Sequence, residues 1–263
     1  MSEITDRMKL HIFGSCAGTE PMPERHHTAW ALETGGGLYW FDAGETCSYT
    51  AHLMGLELLS VRAVFISHTH MDHIGGLGNL FWNIRKLSVV KNQQPGDIEL
   101  FIPNLSSWEA ILALLKNTEG NFRCNFAINA HGVNDGIIFD DGAVRVEALH
   151  NLHLGDSLPW RSFSYRIFSG GKRIVYSGDI RDSSDLDAFL ADGCDYLLIE
   201  TGHHSPDVIV RYIKEKGYEV GELLYIHSGR DILESRERAS ELIGSVRDGG
   251  FRICEDGQTI QIN

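Results

Sequence analysis

The stretch Ser67–Gly76 reads S-H-T-H-M-D-H-I-G-G and follows an apolar run that predicts a buried strand. Within six residues it carries three imidazoles and a carboxylate, the side chains that divalent zinc, iron and manganese accept as ligands. Because residues two apart on an extended chain point the same way, His68 and His70 can bind one ion. A turn after His70 would let Asp72 and His73 bind a second ion. We therefore predict a metal-binding loop here.

The spacing H-x-H-x-D-H resembles the signature of the metallo-β-lactamase superfamily, whose members are mostly dinuclear metallohydrolases. A glycine loop, a P-x-P-E-R segment, a hairpin and F-D-A-G-E, between residues 14 and 45, are similar to the start of its ribonuclease Z-like branch. The resemblance implies a four-layer αββα sandwich, with two mixed β-sheets and helices outside. The predicted alternation of strands and helices fits this α/β (α+β) class. No linker divides the chain, so we expect one domain over residues 1–263.

The resemblance also implies ligands further along the chain. The loop after a predicted strand at 143–149 offers two histidines, and the resemblance favours His153 over His150. The S-G-D segment matches the bridging aspartate of the superfamily, since each carboxylate oxygen of Asp179 can take one cation. The implied ligands are His68, His70 and His153 on one ion, Asp72, His73 and His227 on the other, and Asp179 shared.

Asp42, in F-D-A-G-E, has two interpretations. In the ribonuclease Z-like branch it would lie behind the metal site and support a ligand. Alternatively, the acidic segment 42–45 stabilises the start of a helix predicted at 46–54. The sequence leaves both open.

The predicted centre is suited to hydrolysis. Three imidazoles leave coordination positions open, which is typical of catalytic sites. A water between two ions would have its pKa lowered towards ~7, and the ions would polarise a phosphoryl or carbonyl oxygen. Zinc is the first expectation for both ions, with manganese or iron as alternatives.

Three segments resemble the phosphodiesterase and ribonuclease Z branch: the P-E-R segment, residues 200–205 and residues 227–230. The resemblance implies that His204 is a general acid and that Glu200 orients it. It also implies that Asp72 is a catalytic residue as well as a metal ligand. Pro206 departs from the H-S-T motif of the branch, and Glu200 is closer to His204 than the family spaces them. The alternative is that His203 and His204 are ordinary loop histidines.

Charge and length restrict the substrate. The net charge is −13, and no basic insertion resembles the arm with which transfer-RNA processing enzymes bind their substrate. This disfavours structured RNA and favours a small phosphodiester, such as a cyclic nucleotide or a nucleotide fragment. The alternatives are a lactone or thioester hydrolase with the same centre, and a non-catalytic metal-binding or regulatory protein.

The remaining features predict an ordinary intracellular protein. The five cysteines are scattered, without a C-x-x-C pair, so we expect reduced thiols that mostly pack in the core. No apolar stretch is long enough for a membrane span, and the start, residues 1–10, is too polar for a signal peptide. We expect a cytoplasmic protein with a small-molecule substrate, either a monomer or a homodimer.

Overall fold

The computed structural model describes residues 8–263, apart from the side chain of Glu119. Residues 1–7, on which most of the signal-peptide expectation falls, lie outside the described residues. The chain divides into two compact units, one comprising residues 8–14, 26–132 and 256–263 and the other residues 15–25 and 133–255. Each unit contains a seven-stranded mixed sheet with helices, which confirms the predicted α+β class with two mixed sheets. The single domain over 1–263 stays a prediction.

The first unit contains seven strands. They are β1 Lys9–Gly14, β2 Ala29–Thr34, β3 Gly37–Phe41, β4 Val61–Phe65, β5 Ile98–Phe101, β6 Ile128–His131 and β14 Thr259–Gln261. Their order is β14-β1-β2-β3-β4-β5-β6, antiparallel up to β3 and parallel from β3 to β6. Parallel strands are covered on both faces, and β3 (G-L-Y-W-F) is accordingly buried along its whole length.

Helices bury the apolar surface of the first sheet. They are α1 Cys47–Leu53, α2 Met71–Ile74, α3 Leu77–Val90 and α4 Leu105–Lys116, with 3-10 turns at Leu58–Ser60 and Glu119–Phe122. Helix α3 buries its residues 77, 80, 81, 84 and 88, a spacing of three and four that places them on one face. Asn104 caps α4 by accepting a hydrogen bond from the Ser106 amide.

The second unit repeats this construction. Its strands are β7 Gly136–Asp140, β8 Arg145–His150, β9 Phe163–Ser169, β10 Lys172–Tyr176, β11 Cys194–Ile199, β12 Val220–Tyr225 and β13 Phe251–Ile253. In spatial order, β7 to β10 are antiparallel neighbours and β10 to β13 are parallel neighbours. The carboxyl ends of β10, β11 and β12 therefore meet at one edge of the sheet.

The helices of the second unit are α5 Asp187–Leu190, α6 Val208–Lys216, α7 Arg230–Glu234 and α8 Arg236–Gly244, with a 3-10 turn at Ser183–Leu186. The sequence predicted one long helix over 231–244. Instead, Ser235 adopts extended backbone angles, and its hydroxyl accepts a hydrogen bond from the Arg238 amide. Serine favours this role because its short side chain competes for backbone groups. A new helix therefore begins after Ser235.

Two strand predictions were wrong. The segment 250–263, with Asp256-Gly257 as a turn, predicts a short hairpin, but β13 pairs with β12 and β14 pairs with β1. The sequence of residues 122–130 predicts a strand, but the strand begins only at Ile128. None of the described helices is long and apolar enough to cross a lipid bilayer. None of the five cysteines, all of which lie among the described residues, forms a disulfide, and four of them are buried, as expected for thiols that mostly pack in the core.

Candidate metal centre

In the first unit, the predicted metal loop starts directly after β4. His68 and His73 are fully buried, and His70 and Asp72 are more exposed. The His68 Nε2 atom lies 3.0 Å from His70 Nδ1, and His73 Nε2 lies 3.3 Å from Asp72 Oδ2. The four residues therefore form two pairs of neighbouring donor atoms, and their role as metal ligands stays a prediction.

Asp42 lies behind this loop and is fully buried. Its carboxylate accepts hydrogen bonds from the Ser67 amide at 2.7 Å and the Ser67 hydroxyl at 2.8 Å. It also lies 2.8 Å from His73 Nδ1. A carboxylate at Nδ1 fixes the proton on that nitrogen, so Nε2 becomes the ring atom that can bind a cation. Helix α1 has no acidic residue in its first turn, and Thr46 precedes it without a side-chain cap, so the helix-cap interpretation of Asp42 is wrong.

Glycines let three backbone segments meet beside the loop. A Cβ on Gly76 would lie 2.2 Å from the Gly44 carbonyl oxygen, and one on Gly44 would lie 2.7 Å from the Asp72 carbonyl oxygen. Real side chains do not tolerate such distances. The Ala43 amide donates to the His73 carbonyl, and the Gly76 amide donates to the Ala43 carbonyl. The segment after β3 thereby fixes the backbone of the metal loop.

In the second unit, Asp179 follows β10 and is 1% exposed. Its Oδ1 atom lies 3.3 Å from His227 Nε2, and its Oδ2 atom lies 3.7 Å from His153 Nε2. The two oxygens thus face different imidazoles, an arrangement that suits a carboxylate shared by two cations. His227 follows β12 and adopts a left-handed φ of 55°.

The structure separates the two histidines between which the sequence left a choice. His150 Nδ1 lies 2.7 Å from Asp135, and its ring stacks on Trp160 with centroids 4.0 Å apart. His153, in contrast, lies beside Asp179. The geometry of the second unit therefore supports His153, which stays our prediction for the ligand. A third histidine, His131, lies 2.6 Å from Glu99.

Glu200 contacts a different histidine from the one that the sequence analysis assigned to it. Its carboxylate accepts hydrogen bonds from the His203 amide and ring Nδ1 at 3.0 and 3.1 Å. His204 Nε2 instead lies 3.2 Å from the Ile180 carbonyl oxygen. The predicted Glu200–His204 pair is therefore wrong. The turn after β11 brings Glu200 next to His203, three residues later. No feature of the sequence distinguished this pair from a pair between Glu200 and His204, four residues later.

Glu200 and His203 each favour the charged form of the other. Burial alone would raise the pKa of Glu200, but hydrogen bonds from His203 and His227 outweigh it and lower the pKa to about 2. The hydrogen bond to Glu200 raises the pKa of His203, against the opposing effect of burial. One donor atom from each of Asp179, Glu200, His203 and His227 lies within 4.8 Å of the others. The His203 side chain is 43% exposed, so it is accessible to a ligand.

The donor sets of both units fit divalent metal ions. Imidazole nitrogen and carboxylate oxygen are present in each, no thiolate takes part, and Asp42 and Glu200 support ligand-type histidines. The arrangement is that of a metal-dependent hydrolase, in which ligands lie in loops after strands.

Comparisons with known proteins point the same way. Ribonuclease Z of Treponema pallidum (strain Nichols) is 45% identical over 73 residues, 28% of this chain and 23% of that protein. Ribonuclease Z of Shouchella clausii is 32% identical over 164 residues, 61% of this chain and 48% of that protein. The chain thus matches half or less of the length of these relatives.

Solved structures share the whole fold. The metallo-β-lactamase fold protein YhfI of Bacillus subtilis superposes with a TM-score of 0.72 at 20% identity, covering 97% of this chain and 100% of that one. The short form of human tRNase Z gives 0.71 at 19% identity, with coverage of 97% and 99%. These matches confirm the metallo-β-lactamase fold and the ribonuclease Z-like resemblance. The family described as Anti-Pycsar protein Apyc1 matches residues 8–208, more than half of the chain, and this protein belongs to that family.

Proposed function

We propose that this metallohydrolase is a phosphodiesterase that acts on a small phosphodiester or nucleotide. The observation that carries the proposal is the His203–Glu200 pair beside Asp179. A phosphodiester with an alkoxide leaving group needs a proton donor, and an imidazole bound to a carboxylate can supply one. Hydrolysis of a lactone or thioester, the runner-up, does not require this pair. A diphosphatase of the PhnP family, with a TM-score of 0.67 at 16% identity and 97% coverage of both chains, shares the fold.

The proposed ligands are those that the sequence predicted. His68, His70 and His153 would bind one ion, Asp72, His73 and His227 the other, and Asp179 both. We expect two zinc ions, with manganese or iron as alternatives. When bound, the ions would supply a deprotonated water near neutral pH and withdraw charge from a phosphoryl oxygen.

The protein's own groups would orient the ligands and move one proton. Asp42 keeps the proton of His73 on Nδ1, and Glu200 does the same for His203. The hydrogen bond to Glu200 raises the pKa of His203 and so favours the doubly protonated ring, whose Nε2 atom would carry the proton that is donated to the leaving oxygen. We therefore propose His203 as the acid in place of His204, with Glu200 as its positioning residue.

The test is hydrolysis of bis(p-nitrophenyl) phosphate by protein reconstituted with zinc or manganese. We expect about two equivalents of metal per chain, and a loss of at least ~10³-fold in kcat for Asp179→Asn, because one amide cannot replace a carboxylate shared by two cations. Asp156→Asn is the control, since its side chain is 77% exposed in the loop after His153. Strong lactone or thioester turnover without phosphodiester turnover would favour the runner-up.

A protein that binds metal but turns over none of these substrates would be the non-catalytic alternative. Structured RNA stays disfavoured in our proposal because of the acidic net charge of −13. The cytoplasmic location and the choice between monomer and homodimer stay predictions.

A further inference from the structure

The second unit contains a cluster of ligand-type side chains that is more than the predicted ligand set. Its members follow the strands β10, β11 and β12, whose carboxyl ends meet at one edge of the sheet. One donor atom from each member lies within 4.8 Å of the others, and the members are Asp179, Glu200, His203 and His227. Glu200 and His203 are not among the ligands that the sequence predicted. They add a carboxylate and an imidazole to the cluster.

The distances within this cluster suit a single cation. Two donors on one tetrahedral zinc ion, each ~2.0–2.2 Å from it, are about 3.3–3.6 Å apart. The Glu200 carboxylate lies 3.1 Å from His203 Nδ1 and 3.8 Å from His227 Nδ1. The Asp179 carboxylate lies 3.9 Å from His203 Nδ1 and 3.3 Å from His227 Nε2. Small movements of the side chains would therefore bring three or four donors onto one ion.

Charge also favours a cation in this cluster. Asp179 and Glu200 are 1% and 2% exposed, so two carboxylates lie side by side away from water. Their negative charges repel, and one divalent cation would compensate both. The Ile180 amide donates to one oxygen of Glu200 and the His203 amide to the other. Because a carboxylate oxygen has two acceptor positions, each oxygen of Glu200 keeps one that can bind a cation.

The backbone holds these side chains together and leaves one of them accessible. A Cβ on Gly202 would lie 2.5 Å from the His227 ring, so only glycine lets the turn after β11 pass this close. The Thr201 amide donates to the His227 carbonyl at 3.2 Å, which ties the two loops to each other. The His203 side chain is 43% exposed. An ion can therefore enter the cluster on the side of His203.

We propose that Asp179, Glu200 and His203 form an additional divalent-cation site, completed by His227 or water, and that an ion in it inhibits hydrolysis. The ion takes the place of the hydrogen atom between His203 Nδ1 and the Glu200 carboxylate, so neither residue is available for the proposed proton transfer. Its affinity is lower than that of the two proposed ions, because Asp179 is shared and cations repel one another. The inhibition rests on the proposed function, whereas the site rests on the side chains alone.

The site is tested without turnover by nitrogen-15 NMR of the histidine rings during a zinc titration that continues beyond two equivalents. We expect the His203 ring signals to change in step with an additional, weaker equivalent of zinc. Glu200→Gln and His203→Ala should each weaken that equivalent by at least ~10-fold. His204→Ala is the matched control and should bind it like wild type, because His204 is the next residue but faces the Ile180 carbonyl oxygen.

The inhibition is tested with two substrates. Zinc beyond two equivalents should lower turnover of a dinucleotide by about 10-fold or more, because an alkoxide leaving group needs the acid. It should change turnover of bis(p-nitrophenyl) phosphate by less than about threefold, because that leaving group does not. The zinc concentration for half-inhibition should equal the dissociation constant from the NMR titration, in wild type and in His204→Ala.

Two results would overturn the inference. One is a His203 ring that does not respond to zinc beyond two equivalents, or an additional equivalent that Glu200→Gln and His203→Ala both bind like wild type, which would place the ion elsewhere on the surface. The other is a full rate of dinucleotide turnover with the additional ion bound. A protein that shows the expected NMR titration but hydrolyses neither substrate would confirm the site and contradict the proposed function.

Discussion

Replacing Asp42 by asparagine tests how the first unit prepares a histidine for metal binding. The buried carboxylate accepts two hydrogen bonds from Ser67 and lies 2.8 Å from His73 Nδ1. Asparagine is nearly the same size and can keep both contacts with Ser67, because a hydroxyl also accepts. An amide NH₂ group facing Nδ1 would, however, favour the tautomer of His73 with its proton on Nε2. That nitrogen could then no longer bind a cation.

The expected size of the effect follows from these contacts. Loss of one charge-assisted hydrogen bond should destabilise the fold by about 1.5–3 kcal/mol. Loss of the supporting carboxylate should weaken metal affinity by about 10–100-fold. Competition with a chelating dye measures that affinity, and urea unfolding with and without EDTA measures the stability.

Glu99→Gln is the matched control in the same unit. Glu99 lies 2.6 Å from His131 Nε2, but the side chains are 32% and 45% exposed. An exposed pair of this kind contributes at most about 1 kcal/mol, and it lies outside the predicted ligands. We expect the zinc affinity of the Glu99→Gln protein to equal that of wild type. If Asp42→Asn binds zinc within threefold of wild type, Asp42 does not set the tautomer of His73 and the reasoning is wrong.

Three further predictions concern the acid, the thiols and a buried histidine. His203→Ala should lower turnover of a dinucleotide by about 10²–10⁴-fold but spare p-nitrophenyl esters, whose leaving group needs no acid, whereas equal effects on both substrates would contradict the assignment. Only Cys124 should react with a thiol reagent at pH 8 in the folded protein, because it is half-buried whereas the other four thiols are buried. It should react more slowly than after unfolding, when all five thiols react, because burial raises the pKa of Cys124 too, and it raises the pKa of Cys47, Cys194 and Cys254 to about 12. Cys124→Ser is the control. Burial lowers the pKa of His11 despite its contact with Glu33, so the unfolded chain binds that proton first and stability should fall as the pH drops below about 6.5. The urea midpoint of His11→Gln should depend less on pH over that range, and an unchanged dependence would exclude His11 as the cause.

The local sequence was sufficient to predict the structure where a single segment of the chain determines the geometry. The metal loop has its donors within six residues, and the preceding strand fixes their direction, so the pairs His68–His70 and Asp72–His73 could be predicted. The alternating run at 143–149 likewise predicted strand β8 to within two residues at each end. Both depend on contacts within one short stretch of chain.

Sequence was insufficient where the partner is distant or where a turn decides the outcome. The segments 251–253 and 259–261 look like two arms of a hairpin, yet each pairs with another strand, because neighbours in space compete with neighbours in sequence. The side chains of His203 and His204 have the same chemistry. Only the turn after β11 determines that His203 faces Glu200. Which of two adjacent histidines faces Glu200 depends on the backbone angles of the turn, and the composition of the segment does not determine those angles.

The backbone after the strands carries strain where the chemistry is expected. Asp42 follows β3 with a φ of 53°, and His227 follows β12 with a φ of 55°, in the left-handed region that costs a residue with a side chain about 1–2 kcal/mol. Glycine would remove this cost at either position, as Gly178 does before Asp179 with a φ of 54°. A carboxylate at position 42 and an imidazole at position 227 are therefore present at the expense of stability. Such strain persists only where the surrounding contacts determine the conformation. Ser67 and His73 contact Asp42 in the first unit, and Asp179 and Glu200 contact His227 in the second. Among the described non-glycine residues with a positive φ, one in each unit therefore carries a side chain of the predicted site, Asp42 in the first and His227 in the second.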